Sequence, residues 1–265
     1  MTTYTTPAGS IYKLYADILN QHHTLIAGET GAGKSVVINS LIATALYKAP
    51  TEVQFILIDP KRVSLKKFST LPHVIKYAND TDMIDALQYA VTLMMVRYDA
   101  MERAGIEEYT GSKVYVIIDE LLDLMTTAAK AVTPLIQRLC QLGRAAGISV
   151  IAATQCPLAA VLPTPIKVNF TAKVGLHVAE AQHSRNIIGI AGCEALPQHG
   201  KCYYVKPMYK GVVNVPKVDN DEILRLIAHW NGQKAASTAR KVEAKADPKP
   251  AARAPRKPLF GRLFA

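Results

Sequence analysis

A glycine-rich stretch near the amino terminus has the residue types and spacing of a phosphate-binding loop. It reads Gly-Glu-Thr-Gly-Ala-Gly-Lys-Ser over residues 28–35, between an apolar run that predicts a strand and one that predicts a helix. The glycines allow a tight turn in which backbone N–H groups and a helix N-terminus converge on phosphate oxygens. In this pattern Lys34 contacts the β- and γ-phosphates, and the Ser35 hydroxyl binds Mg²⁺. We therefore predict a site for ATP and Mg²⁺ formed by Gly28, Glu29, Thr30, Gly31, Ala32, Gly33, Lys34, Ser35 and Val36.

A second motif supplies two carboxylates at the end of a buried strand. Val114–Ile118 is apolar, and Asp119 and Glu120 follow it directly. Asp119 is predicted to hold Mg²⁺ opposite Ser35, and Glu120 to act as the general base that polarises the attacking water. Such a run alone is weak evidence, because acidic residues often cap helices at strand ends. About 85 residues after the phosphate-binding loop, with a βα unit between them, it predicts the second half of an ATPase site.

A third strand, Ile148–Gln155, ends in a polar side chain. Gln155 is predicted to orient the water or to sense the γ-phosphate. If it stood alone, a satisfied polar residue at a strand end would be the favoured interpretation. Together with a buried strand at Val53–Asp59, these motifs give alternating strands and helices. That order predicts an α/β fold with a mainly parallel central sheet flanked by helices.

The remaining elements are predicted from apolar spacing and from turn residues. Helices are expected over 81–104, 128–146 and 219–230, and strands over 170–177, 202–205 and 212–215. Pro134 is compatible with the second helix only if that helix begins near it. Arg97 and Arg103 extend the first helix and are predicted to be solvated.

Composition limits the class of protein. The 265 residues are 49% hydrophobic and carry a net charge of +10, four cysteines and no metal-ligand spacing among the seven histidines. The cysteines are interpreted as reduced thiols of a cytosolic protein. No apolar run reaches the roughly 18 residues of a membrane span. From Asn231 onward nine basic residues face two acidic ones, which favours contact with a polyanion, either nucleic acid or a membrane surface.

With these motifs in place, the chain resembles the motor domain of the FtsK/SpoIIIE DNA translocases, in the HerA/FtsK group of RecA-like P-loop ATPases. Beyond the two ATPase motifs, the similar segments are Ile-Asp-Pro-Lys at 58–61, Leu-Pro-His at 71–73, Arg-Ala-Ala-Gly-Ile at 144–148, Ala-Thr-Gln at 153–155 and Ser-Arg at 184–185. The resemblance divides the chain into a lead-in that packs on the motor (1–22), a RecA-like motor domain (23–230) and a disordered basic tail (231–265).

The resemblance implies an ATP-driven double-stranded DNA translocase that works as a homo-oligomeric ring, expected to be a hexamer. In such a ring an arginine reaches the γ-phosphate held by the neighbouring subunit. Arg144 is the first choice for that role and Arg185 the second, although Arg144 also suits a helix C-terminus as a cation. Lys167 matches an element that lines the DNA path, and Arg185 is a further candidate DNA contact.

The chain also departs from the family pattern. Cys156 stands where the family has an arginine and Ala181 where it has a lysine, which removes two candidate phosphate contacts. The absence of a membrane region and of a winged-helix module favours a mobile-element role, in viral genome packaging or plasmid transfer. The protein is then expected to be cytoplasmic or virion-associated. Its tail is a candidate contact for a capsid, a portal or a membrane surface, although an inert tail is the favoured interpretation. Two alternatives stay open: a secretion-type ATPase that moves protein, and a nucleotide-switched module that tethers DNA without translocation.

Overall fold

The computed structural model describes residues 13–155 and 164–245, which form one central sheet with helices on both faces. The eight strands are β1 (His23–Ala27), β2 (Val53–Ile58), β3 (Val74–Ala78), β4 (Lys113–Ile118), β5 (Ile148–Thr154), β6 (Ala172–Gly175), β7 (Lys201–Lys206) and β8 (Tyr209–Asn214). Their order across the sheet is β3-β2-β4-β5-β1-β6-β7-β8.

The first six strands of the chain pair in parallel, and β7 and β8 add an antiparallel hairpin at one edge. The predicted mainly parallel α/β fold is therefore confirmed. Strand β3 is missing from the prediction because it is a half-buried edge strand with a lysine in its centre, and its apolar pattern is correspondingly weak. Registers such as Ile58 opposite Ile118, and Val116 opposite Val150, align the carboxyl ends of β2, β4 and β5.

Seven helices cover the two faces of the sheet within the described part of the chain. They are α1 (Lys13–Asn20), α2 (Lys34–Lys48), α3 (Met83–Ala104), α4 (Leu121–Leu142), α5 (Thr164–Lys167), α6 (Ala181–Ile188) and α7 (Asn220–Lys245). Helices α1, α2 and α7 pack on one face through residues such as Tyr15, Leu41 and Leu226. Helices α3 and α4 pack on the other through residues such as Leu87 and Ile136. Because helices cover both faces of the sheet, the strands are buried and their ends are held in fixed positions.

Helix α4 differs from the prediction. It begins at Leu121, directly after Glu120, instead of at residue 128, and it ends at Leu142. Leu121 and Leu124 are buried against the sheet, so the segment after the two carboxylates is helical rather than a loop. The backbone leaves the helical region at Ala128 (φ −142°, ψ 35°), and Pro134 lies inside the second part of the helix. The second segment of α4 therefore begins just after Ala128, where the predicted helix started, and Pro134 lies inside it, six residues beyond the interruption.

Helix α7 runs past the predicted end at Trp230 and continues to Lys245. Its packing ends near Trp230, whose ring meets the His73 ring edge-on with the centroids 4.9 Å apart. Beyond that point alanine and lysine are the most frequent residues, and both favour a helix. The predicted tail thus begins within a helix, and residues 246–265 lie outside the described residues. Within the described ranges, no helix combines the length and the apolar character that a membrane crossing requires.

The first residue of β1 is a buried histidine. His23 is only 3% exposed, and its Nδ1 atom accepts a hydrogen bond of 3.1 Å from the backbone N–H of Val150 on β5. Burial, and then the neighbouring His22, lower the pKa of His23 from 6.5 to about 4. The ring is therefore neutral in the folded protein at neutral pH.

This histidine makes the stability of the fold depend on pH. Between pH 6.5 and 4 the unfolded chain binds the proton and the folded chain does not, so the free energy of unfolding falls as the pH falls. We expect His23 to account for a loss of about 2 kcal/mol between pH 7 and pH 5. Urea unfolding at the two pH values measures this loss, and a His23→Gln variant should show a flatter dependence. An equal slope in both proteins would contradict the assignment.

Candidate nucleotide-binding site

The predicted ATPase residues meet at the carboxyl edge of the parallel strands. A cavity of about 420 Å³ opens where β1, β4 and β5 end, as expected for ligand sites in parallel sheets. It is lined by Thr30, Gly31, Gly33, Lys34, Ser35, Val36, Lys61, Val63, Ser64, Asp119, Glu120 and Gln155. The structure thus brings together both predicted motifs and the polar end of β5.

The loop between β1 and α2 has the backbone geometry of an anion-binding turn. Gly31 and Gly33 have φ values of 83° and 103°, in the left-handed region that favours glycine. Gly28 has no room for a side chain, because an added Cβ would lie 2.6 Å from the Leu176 Cβ atom. Helix α2 begins directly afterwards at Lys34, so its N-terminal N–H groups end at the cavity.

Three predicted residues, Gly28, Glu29 and Ala32, shape the loop without lining the cavity. The carbonyl oxygens of Gly28 and Glu29 accept hydrogen bonds from the Lys34 ammonium at 2.8 and 2.9 Å. The Glu29 carboxylate points away and accepts a hydrogen bond of 2.6 Å from the Ala179 backbone N–H. Burial lowers the pKa of Lys34, and the carboxylates of Glu120 and Asp119 oppose this shift. The lysine therefore lies over the loop as the principal buried cation of the cavity.

Oxygen atoms suited to a magnesium ion lie on one side of this lysine. The Ser35 hydroxyl is 3.4 Å from the Ser64 hydroxyl, and Ser64 also hydrogen-bonds to Asp119. Burial raises the pKa of Asp119; the Ser64 hydrogen bond opposes that rise, and the neighbouring Asp59 adds to it. Asp59 is fully buried, and its Oδ1 atom has no hydrogen-bond partner among the described residues. The Ser35 and Ser64 hydroxyls and the Asp119 carboxylate line the cavity, and such oxygens fit the preference of Mg²⁺ for oxygen ligands.

Glu120 links the second motif to the end of β5. Its carboxylate is 3% exposed and accepts a hydrogen bond of 3.1 Å from the Gln155 backbone N–H. The Gln155 side-chain oxygen in turn accepts a hydrogen bond of 3.0 Å from Thr30 in the phosphate-binding loop. Burial raises the pKa of Glu120, and the Gln155 N–H opposes the shift. The backbone N–H of Gln155 thus orients the Glu120 carboxylate, which faces the cavity.

The sequence prediction missed the segment that follows β2. Asp59 accepts a hydrogen bond of 2.8 Å from the Leu65 backbone N–H, which folds residues 59–65 back over the cavity and brings Lys61 and Ser64 to its wall. The available signal was the Asp-Pro-Lys motif itself. Its strand, β2, pairs with β4, and therefore its end lies beside Asp119 and Glu120.

The other three predicted residues lie elsewhere. Arg144 follows α4 at the amino edge of the sheet, separated from the cavity by the length of β5, about 20 Å. Arg185 is exposed on α6, and Lys167 ends α5. Neither lines the cavity. Lys167 is close enough to Lys173 to lower its pKa, after burial, which is the larger cause.

Arg97 is buried, contrary to the prediction that it is solvated, and it holds the loop that carries Arg144. It is 4% exposed, and its guanidinium donates hydrogen bonds of 2.8 Å to the Ala146 carbonyl and 2.9 Å to the Ser112 carbonyl. The same group lies over the Tyr109 ring, 4.2 Å from its centroid. The Tyr109 N–H also donates to the carbonyl of residue 145. The Arg97 side chain on α3 therefore holds residues 144–147 in place.

Comparison with known proteins gives a consistent result. The model of the FtsK/SpoIIIE family matches residues 6–115 and 110–159. The chain is 36% identical to DNA translocase FtsK of Borreliella burgdorferi over 211 residues, covering 72% of this chain and 27% of that protein. It is 40% identical to DNA translocase FtsK of Chlorobaculum tepidum over 202 residues, covering 68% and 25%. The chain thus spans about a quarter of the length of these curated relatives.

Solved structures show the same fold. The pCW3 conjugation coupling protein TcpA superposes with a TM-score of 0.69 at 24% identity, covering 79% of this chain and 66% of that one. The cytoplasmic domain of the type VII secretion ATPase EccC of Thermomonospora curvata gives 0.68 at 20% identity, covering 78% and 27%. The predicted RecA-like P-loop ATPase fold is confirmed by these likenesses.

The hydrogen bonds of Arg97 predict that its replacement lowers the free energy of unfolding. An Arg97→Met variant leaves the Ala146 and Ser112 carbonyls without their buried donor, so we expect the free energy of unfolding to fall by about 3 kcal/mol. Arg97→Lys should recover part of it, because one charged donor remains. Arg103→Met is the control: Arg103 is exposed on the same helix, and its loss should change little. Denaturant unfolding decides, and equal effects of Arg97→Met and Arg103→Met would contradict the interpretation.

Proposed function

Because the chain belongs to the FtsK/SpoIIIE family, we propose that it is an ATP-driven motor that moves double-stranded DNA and works as a ring of identical subunits. The observation that carries the proposal is the cavity in which Lys34, Asp119, Glu120 and Gln155 converge. The curated relatives named as DNA translocases support the choice of DNA as the substrate.

The arrangement of the cavity supports hydrolysis of ATP by in-line attack of water. The water oxygen bonds to the γ-phosphorus, the bond to the β–γ bridging oxygen breaks, and Glu120 accepts the proton from water. A buried carboxylate with a raised pKa is a stronger base for this step. Lys34 offsets the charge of the β- and γ-phosphates, and Gln155 holds Glu120 in place. Ser35 and Asp119 are the residues that would hold Mg²⁺, which supplies further charge neutralisation at the phosphates.

The position of Arg144 supports action on a neighbouring subunit. Arg144 is exposed at the amino edge and lies too far from the cavity of its own chain to reach a phosphate there. In a ring built from head-to-tail contacts, one edge of each subunit faces the other edge of the next. Arg144 is therefore the first candidate for the arginine that acts in trans, and Arg185 remains the second.

A cluster of lysines supports contact with a polyanion. Lys167 and Lys210 both lower the pKa of the half-buried Lys173, after the larger effect of burial, so the charge of each acts on Lys173. Lysines placed in this way neutralise phosphates without reading sequence. We assign the motor to residues 23–230, with α7 extending it to Lys245. A mobile-element role, a hexameric ring and contact of the tail with a capsid, portal or membrane stay predictions.

The DNA assignment is tested by the ATPase rate with and without long linear duplex DNA. The full chain is compared with a variant that ends at Lys245, which keeps α7 whole and removes five basic residues and one acidic residue. We expect a several-fold rise in both proteins, decreasing with added salt because phosphate contacts release counterions. A rise in the full chain alone would make the tail the DNA contact. No rise in either would favour the protein-moving alternative.

The ring and its trans arginine are tested by mixing two inactive variants. Lys34→Ala is expected to abolish ATP binding, and Arg144→Ala to lower the hydrolysis rate by about 100-fold or more. In an equimolar mixed ring, roughly a quarter of the sites combine an intact cavity with an intact arginine from the neighbour. We therefore expect activity to return when the two are mixed. A mixture no more active than its components, with Arg185→Ala complementing instead, would transfer the role to Arg185.

A further inference from the structure

We propose that Lys61 binds the terminal phosphate of the nucleotide and lets the site distinguish a nucleoside triphosphate from a diphosphate. The inference rests on the nucleotide site assigned above and is independent of the substrate that the motor moves. It starts from the place of Lys61 in the cavity wall, between the phosphate-binding loop and Glu120.

The fold fixes the backbone of Lys61. Residue Ile58 at the end of β2 lies opposite Ile118 at the end of β4, so the segment after β2 runs beside Asp119 and Glu120. The buried Asp59 anchors this segment: its carboxylate accepts from the Leu65 N–H at 2.8 Å, and its carbonyl accepts from the Arg62 N–H at 3.1 Å. The base of Lys61 is therefore held at the rim of the cavity, while its long side chain is free to reposition the ammonium.

The contacts of the Lys61 ammonium are loose. It lies 3.8 Å from the nearer Glu120 oxygen and 3.4 Å from the nearer Asp123 oxygen. Charge-assisted N–H···O bonds are typically about 2.7–2.9 Å long, so neither contact is a tight hydrogen bond. The side chain is 47% exposed, and within the described residues its ammonium makes no hydrogen bond shorter than these contacts. Its three N–H donors are available to a phosphate.

The charges in the cavity favour the transfer of the Lys61 ammonium from the carboxylates to a phosphate. Lys61 is close enough to Lys34 to contribute to lowering its pKa, after the larger effect of burial. The Gly28 and Glu29 carbonyls and the neighbouring carboxylates offset the repulsion between these two ammonium groups. A triphosphate carries several negative charges into the same space, and it can bind both lysines at once. Binding of the phosphate then draws Lys61 away from Asp123 and Glu120.

The position of Glu120 identifies the phosphate. A general base must lie next to the water that attacks the γ-phosphorus, so the Glu120 carboxylate marks the γ end of the site. Lys61 is beside that carboxylate, whereas Lys34 lies over the loop that holds the β-phosphate. A diphosphate ends before it reaches Lys61. Lys61 is thus placed to strengthen the binding of ATP and not that of ADP.

The test is the ratio of affinities for a non-hydrolysable ATP analogue and for ADP, each measured by calorimetry with Mg²⁺. We expect Lys61→Met to weaken the binding of the analogue by about tenfold and that of ADP by less than about twofold, since one charge-assisted phosphate contact is lost. Lys61→Arg keeps the cation and should keep the ratio. Arg62→Met is the matched control: Arg62 is the next residue and its side chain is 56% exposed against 47% for Lys61, but it pairs with Asp80 at 2.6 Å. Its loss should leave both affinities unchanged.

A second variant separates phosphate binding from a surface ion pair. If Lys61 only paired with Asp123, then Asp123→Asn and Lys61→Met would have the same effect on nucleotide affinity. If Lys61 binds phosphate, Asp123→Asn frees it and tightens the binding of the analogue, the opposite of Lys61→Met. The proposal is overturned by an unchanged affinity ratio in Lys61→Met, or by equal weakening of both nucleotides. None of these results depends on DNA: a chain that fails to respond to DNA can still show the ratio change, and the reverse also holds.

Discussion

The parallel pairing of β4 with β5, and of β5 with β1, is the constraint on which the site depends. It places the ends of three strands side by side, so that Glu120, Gln155 and the phosphate-binding loop face one cavity. The hydrogen bonds from Gln155 N–H to Glu120 and from Thr30 to Gln155 join these ends directly. A shift of one residue in either register would turn each side chain to the other face of the sheet and separate them.

The packing that positions these groups also buries charged side chains, which costs free energy. Asp59, Asp119 and Glu120 lie close together, and burial raises the pKa values of the last two. The cations Lys34 and Lys61 and the N-terminus of α2 offset this concentration of negative charge. Positive and negative groups thus offset each other in the cavity. A polyanion that binds together with a divalent cation adds charge of both signs at once.

The sequence predicted the parts of the site that depend on local spacing. The phosphate-binding loop, Asp119, Glu120 and Gln155 each follow a buried strand, and a parallel sheet brings such strand ends to one edge. Asp59, Lys61 and Ser64 were missed because their role depends on β2 lying next to β4, a pairing that no local pattern reveals. Arg97 was misjudged for the same reason: its carbonyl partners lie 15 and 49 residues away. The errors in α4 and α7 concern helix ends, where weak apolar spacing competes with helix propensity.

The two ends of the sheet carry different polar groups: the ATPase motifs lie at the carboxyl edge and Arg144 at the amino edge. The carboxyl edge brings the phosphate-binding loop, Asp119, Glu120 and Gln155 together around one cavity. The amino edge presents Arg144 on a loop that Arg97 and Tyr109 hold from the interior. Because about 20 Å of β5 separates the two edges, no rearrangement of side chains unites them within one chain. If Arg144 acts on a nucleotide as proposed, that nucleotide must therefore lie in a second copy of the chain.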